Sequence, residues 1–364
     1  MEALKKIQEC FSKRKKLVLS LLIGLVSIFF LKEASYFLYK TSPESQVINS
    51  GFYYLSKSDL SIEYDSDSFL FPYHLRIFNI DFSPEGFKRY CKFLLYIISA
   101  VLITYTSYFR GYFTGIFLGL FLLFSPVYLI QNNWIGFADH LTFFWSVLLV
   151  LFLDLRDQDP EKKVHTYVLF FLFVLGSWTH FYQFVTISFL VLFLYFWEKK
   201  EIDLDILKVF LLGIFAGRAS SFLIFYFNGI EWNERRLDTA QSLGFARWYS
   251  MHTKHLILTL VSFWNGLLFL FLENLVRKKI SILLVCFGAF FITFFTADST
   301  RVFSHLFYPA WIALWLIRSQ NGFSSSEKWV LSLGLVIAAV YLLVFDPFYK
   351  WGGDLIHLGP RISF

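Results

Sequence analysis

The chain has 364 residues, of which 57% are hydrophobic and 22% aromatic, while only 16% are charged. No water-soluble core needs that much apolar surface, so the composition excludes an ordinary soluble domain and points to an integral membrane protein. The net charge of +6 sits mainly in short basic turns that orient a membrane chain, which argues against a nucleic-acid partner.

Apolar runs able to cross roughly 30 Å of hydrocarbon recur along one membrane domain, 1–364. They fall at 17–31, 93–108, 112–130, 141–154, 165–178, 181–197, 206–228, 256–274, 280–296, 303–317 and 329–345. The expected fold is therefore an all-α polytopic membrane protein with about eleven transmembrane helices. The first run follows Lys13-Arg-Lys-Lys16 like a signal peptide, but Lys32-Glu-Ala-Ser35 has no small-x-small cleavage site, so it reads as a retained anchor. Arg110, Arg156, Lys162, Lys163, Lys199, Lys200, Arg277 to Lys279, Arg318 and Lys328 then fall on the side of the basic N-terminus. Lys and Arg are retained inside, which predicts a cytoplasmic N-terminus and an extracytoplasmic C-terminus. The spans at 165–178 and 181–197 are short, about 22 Å for 15 residues. A single span there would turn Lys199 and Lys200 outward, so the charge pattern predicts a shallow hairpin at Gly176-Ser-Trp-Thr-His180.

The remaining polar clusters gather on the outer side. Residues 32–92 form a large first outer loop, in which Ser42 to Leu55 reads as a helix with Pro43 at its start and Glu44 in its first turn. Asp65 and Asp67 follow; in a turn both carboxylates reach one divalent cation or one set of sugar hydroxyls, and otherwise they mark a solvated loop. The second outer loop, Ser125 to His140, ends on Asp139, either a plain helix cap or an acid at the membrane boundary beside the titratable His140. Arg218 lies inside an apolar span and must face a cavity or a partner; Gly213 and Gly217 in the same span have close-packing spacing. The outer loop 229–255 is amphipathic and carries Arg235 and Arg236, suited to an interfacial anchor or to a lipid phosphate. Asp298-Ser-Thr-Arg301 with His305 is the last cluster: an acid, a base and an imidazole at the surface, or a helix cap with a snorkelling arginine.

No P-loop, dinucleotide fingerprint, HExxH or paired CxxC is present, so a membrane ATPase, oxidoreductase or zinc protease has no motif behind it. The three cysteines suggest no disulfide. The order of elements resembles the C superfamily of membrane glycosyltransferases, which includes the protein mannosyltransferases and the aminoarabinose transferases of lipid A. The large first outer loop, the passage from Pro126 to Asp139-His-Leu-Thr-Phe-Phe, and Asp298-Ser-Thr-Arg-Val followed by Pro309 carry the likeness. It implies transfer of a sugar from a polyprenyl-phosphate donor to an envelope lipid, glycan or protein on the extracytoplasmic face, as in a bacterial cytoplasmic membrane. The usual Asp-Glu pair after the first span is Pro43-Glu44 here. The expected catalytic acids are Asp65, Asp67, Asp139 and Glu44, with Asp65 and Asp67 also placed to hold a divalent cation. Arg218, Arg235, Arg236, His140, Asp298, Arg301 and His305 are expected to bind substrate. Membrane lipids and the lipid-linked donor are the expected partners. The competing readings are a transporter or channel for a lipid-linked saccharide or anion, with Arg218 on its path, and a non-catalytic membrane scaffold.

Overall fold

The computed structural model describes residues 2–39, 47–48, 70, 74, 83–135, 138–229, 249–251, 253–296, 298–345, 347–351 and 353–357. Glu44, Asp65, Asp67, Arg235 and Arg236 lie outside the described residues. The chain folds as a helical bundle: α1 (Glu2–Leu38), α2 (Pro84–Arg110), α3 (Tyr112–Leu123), α4 (Pro126–Asn133), α5 (Asp139–Gln158), α6 (Lys163–Lys199), α7 (Leu204–Phe227), α8 (Leu256–Ser262), α9 (Leu268–Val276), α10 (Ile280–Phe294), α11 (Ser299–Arg318) and α12 (Ser325–Val344). Among the described residues there are also two small ribbons, a parallel pair β1 (Val47–Ile48) with β2 (Trp134–Ile135) and an antiparallel hairpin of β3 (Phe348–Trp351) and β4 (Asp354–His357). Among the described residues five helices are long and apolar enough to cross a membrane, or six if α3 and α4, bent by 53° at their junction, count as one.

Helix α11 is the axis of the bundle. It buries residues on every side, including Phe303, Phe307, Tyr308, Trp311 and Trp315, as expected of a helix hydrophobic all round. Trp311 stands edge-on to Phe121 at 4.8 Å and to Trp264 at 5.7 Å, so α3 and the α8–α9 segment close on it from different sides. That segment is broken between its two helices, where Asn265 takes a left-handed backbone (φ 45°) and its N–H caps Val261 O at 3.2 Å. Asparagine tolerates that conformation better than most residues.

The predicted hairpin at 176–180 is present in the geometry of α6. His180 leaves the helical region (φ −162°, ψ 89°), and Phe184 folds its ring onto Gly176, where a Cβ would lie 2.2 Å from the ring. In a continuous helix those residues would stand roughly 12 Å apart. The two ends of α6 also meet: Thr166 accepts from Arg156 Nε at 3.3 Å, while Lys199 pairs with the next residue, Asp157. A straight helix would hold Thr166 and Lys199 roughly 50 Å apart, so α6 doubles back. Gly213 and Gly217 pack α7 onto its first arm, since Cβ atoms there would lie 2.6 Å from Phe173 Cβ and 2.7 Å from Ser177 Cβ.

Two expectations need correcting. Val47–Ile48 pair in parallel with Trp134–Ile135, so the helix expected over 42–55 does not include them; β-branched residues suit an extended pair. The stretch after Ser125 is not an open loop, because Pro126–Asn133 is a fully buried helix whose proline sits at the first turn, where its missing N–H costs nothing.

At one end of the bundle the helices are tied by ion pairs. Arg110 meets Asp154 at 2.6 Å, Arg318 meets Glu273 at 2.6 Å and Asn274 Oδ1 at 2.7 Å, and Arg156 pairs with Asp203, Lys199 with Asp157 and Lys279 with Glu198. The opposite end carries Asp139, the α6 turn, the start of α11 and the β3–β4 hairpin, whose Lys350 N–H donates to Thr300 Oγ1 at 2.9 Å.

Candidate functional site

The polar core of the second end is assembled from four helices. Asp139 opens α5, but it does not cap it: Ala138 occupies the cap position without a side-chain bond. The Asp139 carboxylate is turned inward instead, where Oδ2 accepts from Arg301 Nη1 of α11 at 2.9 Å and Oδ1 from Gln183 Nε2 of α6 at 3.0 Å. Asp298 stands at the cap position of α11 and likewise makes no capping bond; its Oδ2 accepts from Arg301 Nη2 at 2.5 Å. Arg301 is thus held between two carboxylates. The cap and snorkel alternatives at both places give way to an ion network, because Arg301 of α11 brings its charge to both acids and Gln183 of α6 adds an amide donor to Asp139.

His305 lies one turn below. Its Nδ1 faces Arg301 O at 2.7 Å and its Nε2 faces Gln131 Nε2 of α4 at 2.9 Å. A carbonyl only accepts and an amide nitrogen only donates, so this pairing sets the proton on Nδ1 and leaves Nε2 as acceptor. Gln131 N–H also reaches Asp139 O at 3.5 Å, and His140 Nε2 meets Gln131 O at 2.9 Å. Asp139, His140, Asp298, Arg301 and His305 therefore share one network. Gln131 and Gln183 belong to it as well; isolated amides in apolar runs carry no motif, and only the α6 turn predicted at 176–180 hinted that residue 183 would face the Asp139 end.

Arg218 meets aromatic rings of α6. On α7 it shares a stripe with Leu211, Phe215 and Phe222, which are 58%, 73% and 53% exposed, and its guanidinium lies 4.4 Å from the Phe181 ring centre and 5.7 Å from that of Tyr182. Rings just beyond the α6 turn thus cover the cation on the outward side of the bundle, an arrangement that stabilises a charge beside hydrocarbon. The turn is braced there by Trp178 Nε1, which donates to Gly217 O at 3.1 Å and Ser220 Oγ at 2.9 Å.

A groove of about 460 Å³ lies between α1, α2 and α3, lined by Leu22, Val26, Phe30, Ile103, Ile116 and Leu120 among others. Its hydroxyl, Ser27, is spent on Gly24 O at 2.6 Å, so this cleft can hold hydrocarbon but offers nothing to a polar substrate. Among the described residues no group of three or more His, Cys, Asp or Glu side chains is placed to hold a metal ion; the acids expected to do so, Asp65 and Asp67, are outside them. No protein-family model, curated protein or solved structure matches the chain.

Proposed function

We propose that the chain is a membrane glycosyltransferase whose eleven passes place the Asp139 end at the extracytoplasmic face and the Arg110 end in the cytoplasm. In this reading the two arms of α6, the bent α3–α4 pair and the broken α8–α9 segment each cross or nearly cross the bilayer. The observation that carries the proposal is the acid–arginine–acid cluster with His305, drawn from α5, α6, α11 and α4 to one end. Buried charge at a membrane boundary marks function more often than decoration. The other end is knitted shut by Arg110–Asp154 and Arg318–Glu273, both partners of each pair at most 7% exposed, whereas a carrier would have to part such pairs in every cycle.

The chemistry asked of the site is modest. An acceptor hydroxyl gives its proton to a carboxylate, its oxygen bonds to the anomeric carbon, and the carbon–oxygen bond to the lipid phosphate breaks with the electron pair leaving on phosphate. Asp298, or Asp65 and Asp67 of the first outer loop, would take the proton. Arg218 on the outward flank, with Arg235 and Arg236, would steady the departing phosphate. Arg301 is a poor choice for that role, since two carboxylates already hold it.

The test is consumption of a labelled polyprenyl-phosphate sugar in membranes holding the natural chain, an Asp65→Ala/Asp67→Ala double variant, or Asp298→Asn. Donor loss in the natural chain that falls at least a hundredfold in one of the variants supports transfer. Equal consumption in all of them, at equal expression, removes these acids from the mechanism, and no consumption across a panel of lipid-linked sugars returns the weight to a carrier or scaffold.

A further inference from the structure

Among the described residues, the network around Arg301 leaves three acceptors without a hydrogen-bond donor. A carboxylate only accepts, so the Asp139 contact fixes the amide of Gln183 with Nε2 toward the acid, and its Oε1 is left buried with no partner. Gln131 is fixed in the same way by His305, and its Oε1 too is buried and unpaired. Asp298 spends Oδ2 on Arg301 while its Oδ1 has no partner. Gln131 is fully buried and Gln183 is 8% exposed, so bulk water does not serve their oxygens. Native interiors seldom leave such acceptors unfilled. Charge points the same way: among the described residues that ion-pair in the network, two carboxylates share one guanidinium, one negative charge in excess.

We infer that this network is a binding site for a polyhydroxy group that donates hydrogen bonds and brings no negative charge: a neutral sugar, or one bearing an ammonium group. Asp298, Gln131 and Gln183 supply the acceptors, and Asp139 and Arg301 hold them in place. The inference rests on taking this network as the place of the sugar or its acceptor, and it puts any phosphate elsewhere. A neutral hydroxyl and an ammonium proton satisfy the same oxygens, but only the second also offsets the excess charge, so the cationic ligand should bind more tightly.

The experiment is equilibrium binding to the full chain purified in detergent micelles, read by intrinsic tryptophan fluorescence, with glucose, glucosamine, glucuronate and inorganic phosphate as probes. Glucosamine should bind at least tenfold more tightly than glucuronate, glucose should lie between them, and phosphate should not compete. Asp298→Asn, with an unchanged melting profile, should erase the preference for glucosamine over glucose. Should that variant misfold, Gln183→Leu should weaken glucose and glucosamine alike. Binding of glucuronate or phosphate as tight as that of glucosamine would overturn the inference, as would no binding of either sugar, or variants that bind like the natural chain. No lipid donor is involved, so sugar binding without donor consumption would leave this inference standing while the transferase proposal fell.

Discussion

Replacing Arg301 with methionine tests whether the cluster is a coupled unit. The side chains of Arg301, Asp139 and Asp298 are 19%, 5% and 16% exposed. Methionine keeps most of the aliphatic stem but leaves two carboxylates facing each other without a cation. Removing one partner from a buried ion pair typically costs about 3–5 kcal/mol, and the partial exposure of Arg301 argues for the lower figure, about 3 kcal/mol. At roughly 2.1 cal/mol/K of unfolding entropy per residue, a chain of 364 residues shifts by about 1.3 °C per kcal/mol, so the melting midpoint in micelles should fall by about 4 °C. Adding Asp139→Asn and Asp298→Asn to Arg301→Met removes the stranded charges, so the triple variant should recover most of that loss. Lys254→Met is the control, since Lys254 is 52% exposed and its partner Asp354 71%; its midpoint should not move measurably. If Arg301→Met melts with the natural chain, or the triple variant melts below the single one, the three groups are not a coupled buried cluster and the reasoning built on them fails.

Four further outcomes follow from other parts of the fold. Single cysteines at Lys163 and Lys200, in a chain with Cys10 replaced by serine, should react with an impermeant thiol reagent from the same side of sealed vesicles; labelling from opposite sides would mean that α6 does not double back. Gly217→Leu should force α7 from α6 at Ser177 and cost about 1–3 kcal/mol, the usual range for overpacking, whereas the same change at Gly322, which has open space about its Cα, should be limited to the strain of its left-handed backbone. Asn265→Gly should preserve the break between α8 and α9, while Asn265→Val, β-branched at φ 45°, should lower the midpoint clearly. Asp203 caps α7 at the Arg110 end; burial works to raise its carboxyl, but the Ile206 N–H and Arg156 outweigh it and hold it below the ordinary carboxylate range. Its contribution is therefore present above the unfolded value near 3.9 and is lost as pH falls through the lower folded value. The gap in midpoint between the natural chain and Asp203→Asn should narrow on acidification below about pH 4, and a gap that widens there would reverse the assigned sign.

The helical class was legible because long apolar runs can be read without knowing their partners, whereas the expected eleven spans compare with five helices, or six with the bent pair, that are long and apolar enough among the described residues. Lys199 and Lys200 pointed to a turn within α6, and the structure brings the two ends of that helix together through Arg156 and Asp157. The glycine spacing at 213 and 217 proved to be a packing face. Asp139, Asp298, Arg301 and His305 were visible as boundary polar residues, yet their roles were not, because a capping acid and a network acid look alike in sequence. Which one occurs depends on what a distant helix delivers, here Gln183 across the α6 turn and Arg301 from α11. Gln131, Gln183 and Lys350 gave no local signal. The direction in which Arg218 points was illegible for the same reason: its stripe partners Leu211, Phe215 and Phe222 fit a lipid-facing or a buried face equally well.

The two ends of the bundle use the same residue types for different purposes, and the difference lies in hydrogen-bond completion as well as in charge balance. At the Arg110 end four carboxylates between the helices are filled at both oxygens: Asp154 by Arg110, Tyr105 and Gln158, Asp157 by Tyr195, Lys199 and Gln320, Glu198 by Lys279 and Ser281, and Glu273 by Arg318 and Arg277. Such groups have nothing left to offer a ligand and act as clamps between helices. At the Asp139 end Asp298 keeps one oxygen unfilled, and two buried amides keep theirs. Stability alone would favour filling them or replacing them with apolar side chains. If the proposed site is right, the three acceptors that this network withholds among the described residues are where a ligand's hydroxyls would donate, which is why the search for substrate belongs at this end of the molecule.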